Sequence, residues 1–358
     1  MGNRVKKRGS AVVICLLISV FFFGVVSGML LIHFTKTAKL NEKLEEAEEL
    51  EDQPVVNVYV PERKRIYGQI PVNSYQLENF QLEDGFMAYY DKEGNKISRL
   101  GVDMSYHQQM VDWEELKNSK AEFVMLRCGY RGYTEGGLIV DEKFKEYAQA
   151  ANDAGIPLGV YFFTQAITEE EAVEEAEFVI SLIEDYEISY PVAFDTEFVS
   201  DSEARTRSAD ITDEMRSRMC IAFCERIREA GYYPIIYAGE NWMRRDLNLD
   251  MLQEYDFWAP QYLEENDFMY DFTIWQYTEA GFIPGIDGEV DLNISMVDYA
   301  SFVPALRQAV ISGGEIMAVE PSTDSTTEIA SDSTTGDDPA GADEDGQNVE
   351  PAQGDSEE

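Results

Sequence analysis

The chain predicts an α/β barrel with an incomplete helical jacket, a (β/α)5(β)3 arrangement, on three observations. Strand-like and helix-like segments alternate between Leu100 and Leu306. The helical segments carry clear start and stop signals. After Asp256 the alternation breaks, leaving strand candidates with little helix between them. Alternation of this kind builds a parallel sheet, and five β/α units plus three further strands suffice to close it into an irregular TIM-like barrel.

The first five strands are expected at 101–105, 123–130, 156–163, 191–198 and 233–238, all short and rich in apolar, β-branched and aromatic residues. Thr168-Glu169-Glu170-Glu171 is a capping box, so a helix opens there and runs to about residue 186. Gly155 and Gly231 stand where left-handed glycines close helices. The last three strands are expected at 257–262, 272–278 and 289–294.

The flanks read differently. Residues 11–34 are uncharged and strongly apolar, long enough to cross a bilayer as a transmembrane helix. Arg4, Lys6, Lys7 and Arg8 precede them and an acidic run at 42–52 follows, which places residues 1–10 in the cytoplasm and the bulk outside. A cleaved signal has a shorter apolar core, ~7–15 residues, so a retained signal anchor is the expectation and the chain is read as a single-pass cell-membrane protein. Residues 35–53 form a polar helical stalk broken by Pro54. Residues 54–99 read as an accessory region packed on the barrel, with a hairpin of 85–90 and 96–98 around a turn at 91–95. The barrel is assigned to 100–307. Residues 312–358 are polar and acidic with few large apolar side chains, the signature of a disordered tail.

Composition excludes whole classes of chemistry. The formal net charge is −41, with no Lys or Arg after Arg307, so nucleic acid is not an expected partner. Only two histidines occur, His33 and His107, which rules out HExxH zinc sites and multi-histidine centres. A Ser-His-Asp triad would rest on His107 alone, with no nucleophile-elbow motif. Cys15 falls in the apolar segment and Cys128 in a strand. Cys220 and Cys224, one helical turn apart, are read as buried thiols, with a metal pair or local disulfide as the alternative. Carboxylates and phenols are left to do the work, and no cofactor or metal is expected.

Asp195-Thr196-Glu197 closes the apolar run 190–194, and strand alternation would point both carboxylates to one face. Neighbouring carboxylates repel each other and raise at least one pKa, giving the acid-beside-anion arrangement that glycoside hydrolysis needs. Asp103 ends the first strand and Asp291 lies on the last. The C-terminal rim of a parallel barrel would bring all four together. Tyr130, Tyr161, Phe163, Trp242, Trp258, Tyr262, Trp275 and Tyr277 recur near strand ends, where aromatic platforms could meet the apolar faces of sugar rings.

Gly101-Val102-Asp103-Met104-Ser105-Tyr106-His107-Gln108, with Val111-Asp112-Trp113, resembles the opening strand and loop of the glycoside hydrolase family 25 lysozymes. Segments 123–130, 159–163 and 194–197, then Trp275-Gln276-Tyr277, Gly285-Ile286 and Val290-Asp291-Leu292-Asn293, resemble the same family in the same order. Gln109 departs from the small residue expected after Gln108. The resemblance covers roughly residues 100–307. It implies cleavage of the β-1,4 bond between N-acetylmuramic acid and N-acetylglucosamine in peptidoglycan glycan strands. Glu197 would then be the general acid, and Asp195, Asp103 and Asp291 the other carboxylates of the cleft. Because same-face neighbours cannot easily flank a glycosidic bond from opposite sides, substrate assistance is the expected route. The acetamido oxygen would attack the anomeric carbon, oriented by Asp195, with Tyr161 donating a hydrogen bond to the acetamido group. If Asp103 or Asp291 lies across the cleft, an inverting or covalent route reopens. The competing readings are an inactive, membrane-tethered glycan-binding module and a cell-surface interaction protein.

Overall fold

The computed structural model describes residues 56–58, 72–108, 110–262, 270–313 and 316–318. The expected transmembrane segment 11–34, the stalk, Gln109 and the tail from 319 onward lie outside the described residues. Among the described residues no helix is long and apolar enough to cross a membrane.

Eight strands close a barrel: β1 (Arg99–Met104), β2 (Phe123–Arg131), β3 (Leu158–Phe163), β4 (Val192–Asp195), β5 (Pro234–Tyr237), β6 (Asp256–Pro260), β7 (Ile274–Gly281) and β8 (Val290–Ser295). Neighbours pair in parallel from β1 through β7, while β8 is antiparallel to both β7 and β1 and completes the ring. Helices α1 (Trp113–Asn118), α2 (Phe144–Ala154), α3 (Glu169–Ile183), α4 (Asp213–Glu229) and α5 (Glu240–Asp246) fill the first five connections, and α6 (Val303–Ile311) follows β8. The five β/α units and three further strands expected from the alternation are thus present.

Local chemistry explains the punctuation. The Thr168 hydroxyl accepts from the Glu171 amide, and the Glu171 carboxylate accepts from the Ile167 amide, so α3 is capped from both directions. Gly155 takes the left-handed conformation (φ 64°) that closes α2. Cys128, Cys220 and Cys224 are free, buried thiols.

Period-two alternation sorts the strand side chains into two cores. Phe123, Met125, Ala193, Ile235, Trp258 and Ile274 fill the barrel lumen. Val124, Leu126, Val160, Phe194, Ile236 and Ile294 face outward under the jacket. The lumen is tight: a Cβ at Gly101 would stand 2.3 Å from the Phe123 ring. Tyr190, Tyr233, Tyr299 and Phe302 seal the end where the parallel strands begin. Phe123 stacks on Tyr190 at 4.3 Å between centroids, and Tyr299 packs against Tyr190 at 5.6 Å and Tyr233 at 5.2 Å.

On the side of β7, where the helical jacket is missing, an N-terminal hairpin takes the helices' place. Its strands are Phe80–Glu83 and Phe86–Tyr89, joined by Asp84-Gly85 with φ of 52° and 89°. The expected reversal around 91–95 is also present in reduced form. Tyr90 and Lys96 form an antiparallel bridge, the Asp91 amide donates to the Asn95 carbonyl and the Ile97 amide to the Tyr89 carbonyl, while the regular pairing of 86–89 is with 80–83 instead. The Asp-Gly pair, favoured where two successive residues need positive φ, was the better turn signal. Phe80 meets Trp275 edge-on at 5.2 Å, Tyr75 lies 5.0 Å from Phe272, and the Tyr75 hydroxyl donates to the Phe272 carbonyl. A short parallel pair also joins Val56–Val58 to Ile316–Ala318, which corrects the expected disordered tail of 312–358: its first part is a paired strand.

Candidate active site

The carboxylates converge at the rim where β1–β7 end. Asp103 is one residue from the end of β1, Asp195 ends β4, and Asp291 faces Asp103 across the β1–β8 ladder. Asp291 reaches this rim because β8 is antiparallel, so its second residue lies beside the strand ends of its neighbours. Glu197 stands two residues beyond β4. The expected strand to 198 stops at Asp195, yet the backbone stays aligned because the Thr196 amide still donates to the Tyr237 carbonyl.

Each carboxylate is held differently. The Asp103 Oδ2 accepts from Asn293 Nδ2 at 2.7 Å and Gln276 Nε2 at 2.8 Å, and Gln276 also reaches Asp291 at 3.3 Å. Burial raises the pKa of Asp103 against those hydrogen bonds. Burial, and then the charge of Asp103, push Asp291 up to about 9, and the two carboxyls hydrogen-bond each other. One proton is therefore held between them at neutral pH. Asp195 is 5 % exposed, and its Oδ1 has no hydrogen-bond partner among the described residues. Burial, then the anions of Glu197 and Asp103, lift it well above the carboxylate range, opposed by Arg127. Glu197 is raised by burial of its carboxyl against the cleft wall, although the residue as a whole is exposed.

The aromatic expectations divide. Tyr161 lies in the lumen, 5.7 Å from Trp258, and burial keeps its phenol protonated far above the usual range. Tyr262, 45 % exposed at the rim, donates to Gln276 Oε1 at 2.7 Å. Tyr130 carries the Arg127 guanidinium over its ring at 5.3 Å, and Phe163 packs on Tyr133 at 5.8 Å. Trp242 donates to the Thr196 hydroxyl at 3.1 Å. Two indoles need correcting. Trp258 is an interior residue that donates to Asn293 Oδ1 at 2.8 Å. Trp275, fully buried on the outer face of β7, and its partner Tyr277, whose hydroxyl turns to the Met87 backbone, carry the hairpin. Neither Trp258 nor Trp275 offers a free face to a ligand.

Several residues of the cleft escaped the sequence reading. Gln276 accepts from the Tyr237 and Tyr262 hydroxyls on its oxygen, at 3.0 and 2.7 Å, so its amide nitrogen must face Asp103 and Asp291. Asn293, two residues after Asp291 on the same face, was within reach of the alternation rule. Arg127 bonds Asp141 at 2.9 Å and stacks on Tyr106 and Tyr130, putting a cation in the field of Asp195. Tyr133 and Phe198, 44 % and 56 % exposed, add open aromatic surface.

Paired, proton-sharing carboxylates at the C-terminal rim of an α/β barrel define a glycoside-hydrolase type of site. The chain belongs to glycosyl hydrolases family 25, whose family model matches residues 102–286. It is 24% identical over 259 residues to the protein YegX of Escherichia coli O6:H1, covering 68% of this chain and 90% of that protein. It is 23% identical to the autolytic lysozyme of Clostridium acetobutylicum over 194 residues, 54% of each chain. The modular autolysin LytC of Streptococcus pneumoniae, solved with a synthetic peptidoglycan ligand, superposes with a TM-score of 0.50 at 23% identity. That match covers 60% of this chain and about half, 52%, of LytC.

Proposed function

We propose that this glycoside hydrolase cleaves peptidoglycan at the β-1,4 bond between N-acetylmuramic acid and N-acetylglucosamine. The observation that carries the reading is the carboxylate set itself, with Asp195 and Glu197 both raised at the end of β4 and the proton-sharing pair Asp103 and Asp291 at the same rim on β1 and β8. Glu197, facing the open cavity, acts as acid toward the leaving oxygen and then as base toward water. Asp195, buried and with a free Oδ1, orients the acetamido group of the substrate, whose oxygen attacks the anomeric carbon. The Tyr161 phenol donates to that group, and Tyr130, Tyr133, Phe163, Phe198 and Tyr262 line the glycan path. Asp195 and Glu197 come from one strand end and do not flank a glycosidic bond from opposite sides, which supports substrate assistance. Asp291 on β8, four strands round the ring from β4, is the carboxylate a covalent or inverting route would use instead. The apolar segment 11–34 tethers the chain to the cell membrane with the barrel outside.

Digestion of purified peptidoglycan by the full chain, with mass analysis of the new reducing ends, tests the reading. N-acetylmuramic acid at those ends is the expected product. N-acetylglucosamine there would overturn the assigned bond, and binding without turnover would leave a glycan-binding module.

A further inference from the structure

Glu197 borders a cavity of about 890 Å³ that extends away from Asp195, between the loop after β4 and helix α5. In a chain of net charge −41, three arginines line it: Arg207, Arg216 and Arg245. Arg216, in the first turn of α4, is only 8 % exposed. Its Nε is shut away without a hydrogen-bond partner, and no ion pair joins the guanidinium to a described carboxylate. Burial lowers its pKa, with Asp246 the acidic side chain whose field opposes that shift. Asp246 is itself raised by burial, and Glu240, the other acid on this wall, pairs with Arg244 at 3.8 Å. An isolated buried cation is costly unless something pairs with it.

The aromatic neighbours give the cation a direction. Arg216 stacks over Trp242 at 4.5 Å and Arg207 over Phe198 at 4.6 Å, while the two rings meet edge-on at 6.4 Å. Stacking covers guanidinium faces and leaves the N–H groups, all in the plane, free for a planar acceptor. A carboxylate fits that fork bidentately.

We propose that this lobe is a subsite for a carboxylate carried by the muramyl unit of the substrate, with Arg216 as its principal donor and Arg207 and Arg245 at the entrance. The inference rests on the peptidoglycan reading above and adds to it a means of telling muramyl glycan from neutral N-acetylglucosamine polymers. Two sources share the chemistry, the free lactyl group of a bare strand and the carboxylates of an attached stem peptide.

The test uses the full chain on four substrates: peptide-bearing glycan and peptide-stripped glycan, each with carboxylates free or capped as methylamides. Capping should raise KM by about tenfold to a hundredfold, the worth of a charge-assisted hydrogen bond, with kcat changing less. The pair in which this occurs names the source. Arg216→Gln should show the raised KM on the free-carboxylate substrate and no further rise on its capped form, and Arg216→Lys should recover part of the loss. Unfolding midpoints establish that each variant folds. Should Arg216→Gln fail to fold, the exposed Arg245→Gln reads the same contrast as a severalfold rise on the free substrate alone. Indifference of the wild type to capping in both pairs overturns the subsite while leaving the hydrolase intact. Equal losses on free and capped substrate give Arg216 a structural role and also overturn it. No turnover of any substrate overturns the hydrolase reading itself.

Discussion

The two ends of the barrel treat a buried carboxylate in opposite ways. At the closed end Asp256, 4 % exposed, accepts from the Tyr233 hydroxyl at 2.9 Å and the Tyr299 hydroxyl at 3.0 Å, inside a wall of aromatic rings. At the open end Asp195, 5 % exposed, faces Glu197 and Asp103, whose charges add to burial in raising it above the carboxylate range. The burial is the same and the company differs. Phenols donate to a carboxylate without adding negative charge beside it, whereas neighbouring anions raise its pKa. The closed end is therefore built for stability and the open end for proton transfer, a division of labour general to barrels of this kind.

Breaking the open end should give the largest effect. Glu197→Gln keeps the shape and removes the proton donor, so turnover of peptidoglycan should fall by roughly 10²–10⁴-fold, the usual share of general acid–base catalysis. Stability should hardly change. A variant keeping more than half of the wild-type rate excludes Glu197 from the role.

Asp195→Asn should also cripple turnover and, more tellingly, move the pH profile. The Glu197 charge raises Asp195, and the two neighbours titrate together, so the last proton lost belongs to the pair. With Asn at 195 only burial raises Glu197, and the basic limb of the residual activity should shift to lower pH. A limb that stays in place would separate the two groups.

Tyr299→Phe tests the closed end and should reverse the pattern. It removes one donor to a buried carboxylate, worth about 1.5–3 kcal/mol, and leaves the rim untouched. Urea titration should show the loss, with kcat of the folded enzyme unchanged. A loss of kcat without a loss of stability would mean that the two ends are not independent.

The sequence disclosed the barrel more fully than the site. Strand positions followed from apolar runs, and α3 from its capping box, because these signals are local. Strand direction is not local: nothing in Val290-Asp291-Leu292-Asn293 says that β8 runs backwards, yet that reversal puts Asp291 beside Asp103. Facing was lost for a related reason. Trp275 and Gln276 are adjacent, and only the closed sheet shows that Gln276 points inward to the carboxylates and Trp275 outward to the hairpin. Buried partners such as Arg127 and Tyr237 come from strands distant in sequence, where no spacing could have tied them to Asp195 or Gln276.

The smallest effect sharpens the contrast from within the rim. Asp291 has a folded-state pKa of about 9, raised first by burial and then by the Asp103 charge, with Glu279 and Glu197 adding to it. An unfolded carboxyl titrates near ~4. A raised pKa means that this group's contribution is fully favourable below pH ~4 and is lost as the pH climbs through the folded value. Asp291→Asn has no such loss, and its amide can still donate to Asp103. Wild type and variant should therefore melt alike near pH 4. At pH 8 the variant should melt higher, by roughly 2–4 °C for each kcal/mol that keeping this proton costs the wild type. At the closed end the same replacement, Asp256→Asn, exchanges an acceptor of two phenolic protons for a weaker one and should lower the melting point at neutral pH. If both variants move in the same direction at pH 8, the two ends do not differ in the way their hydrogen bonds imply.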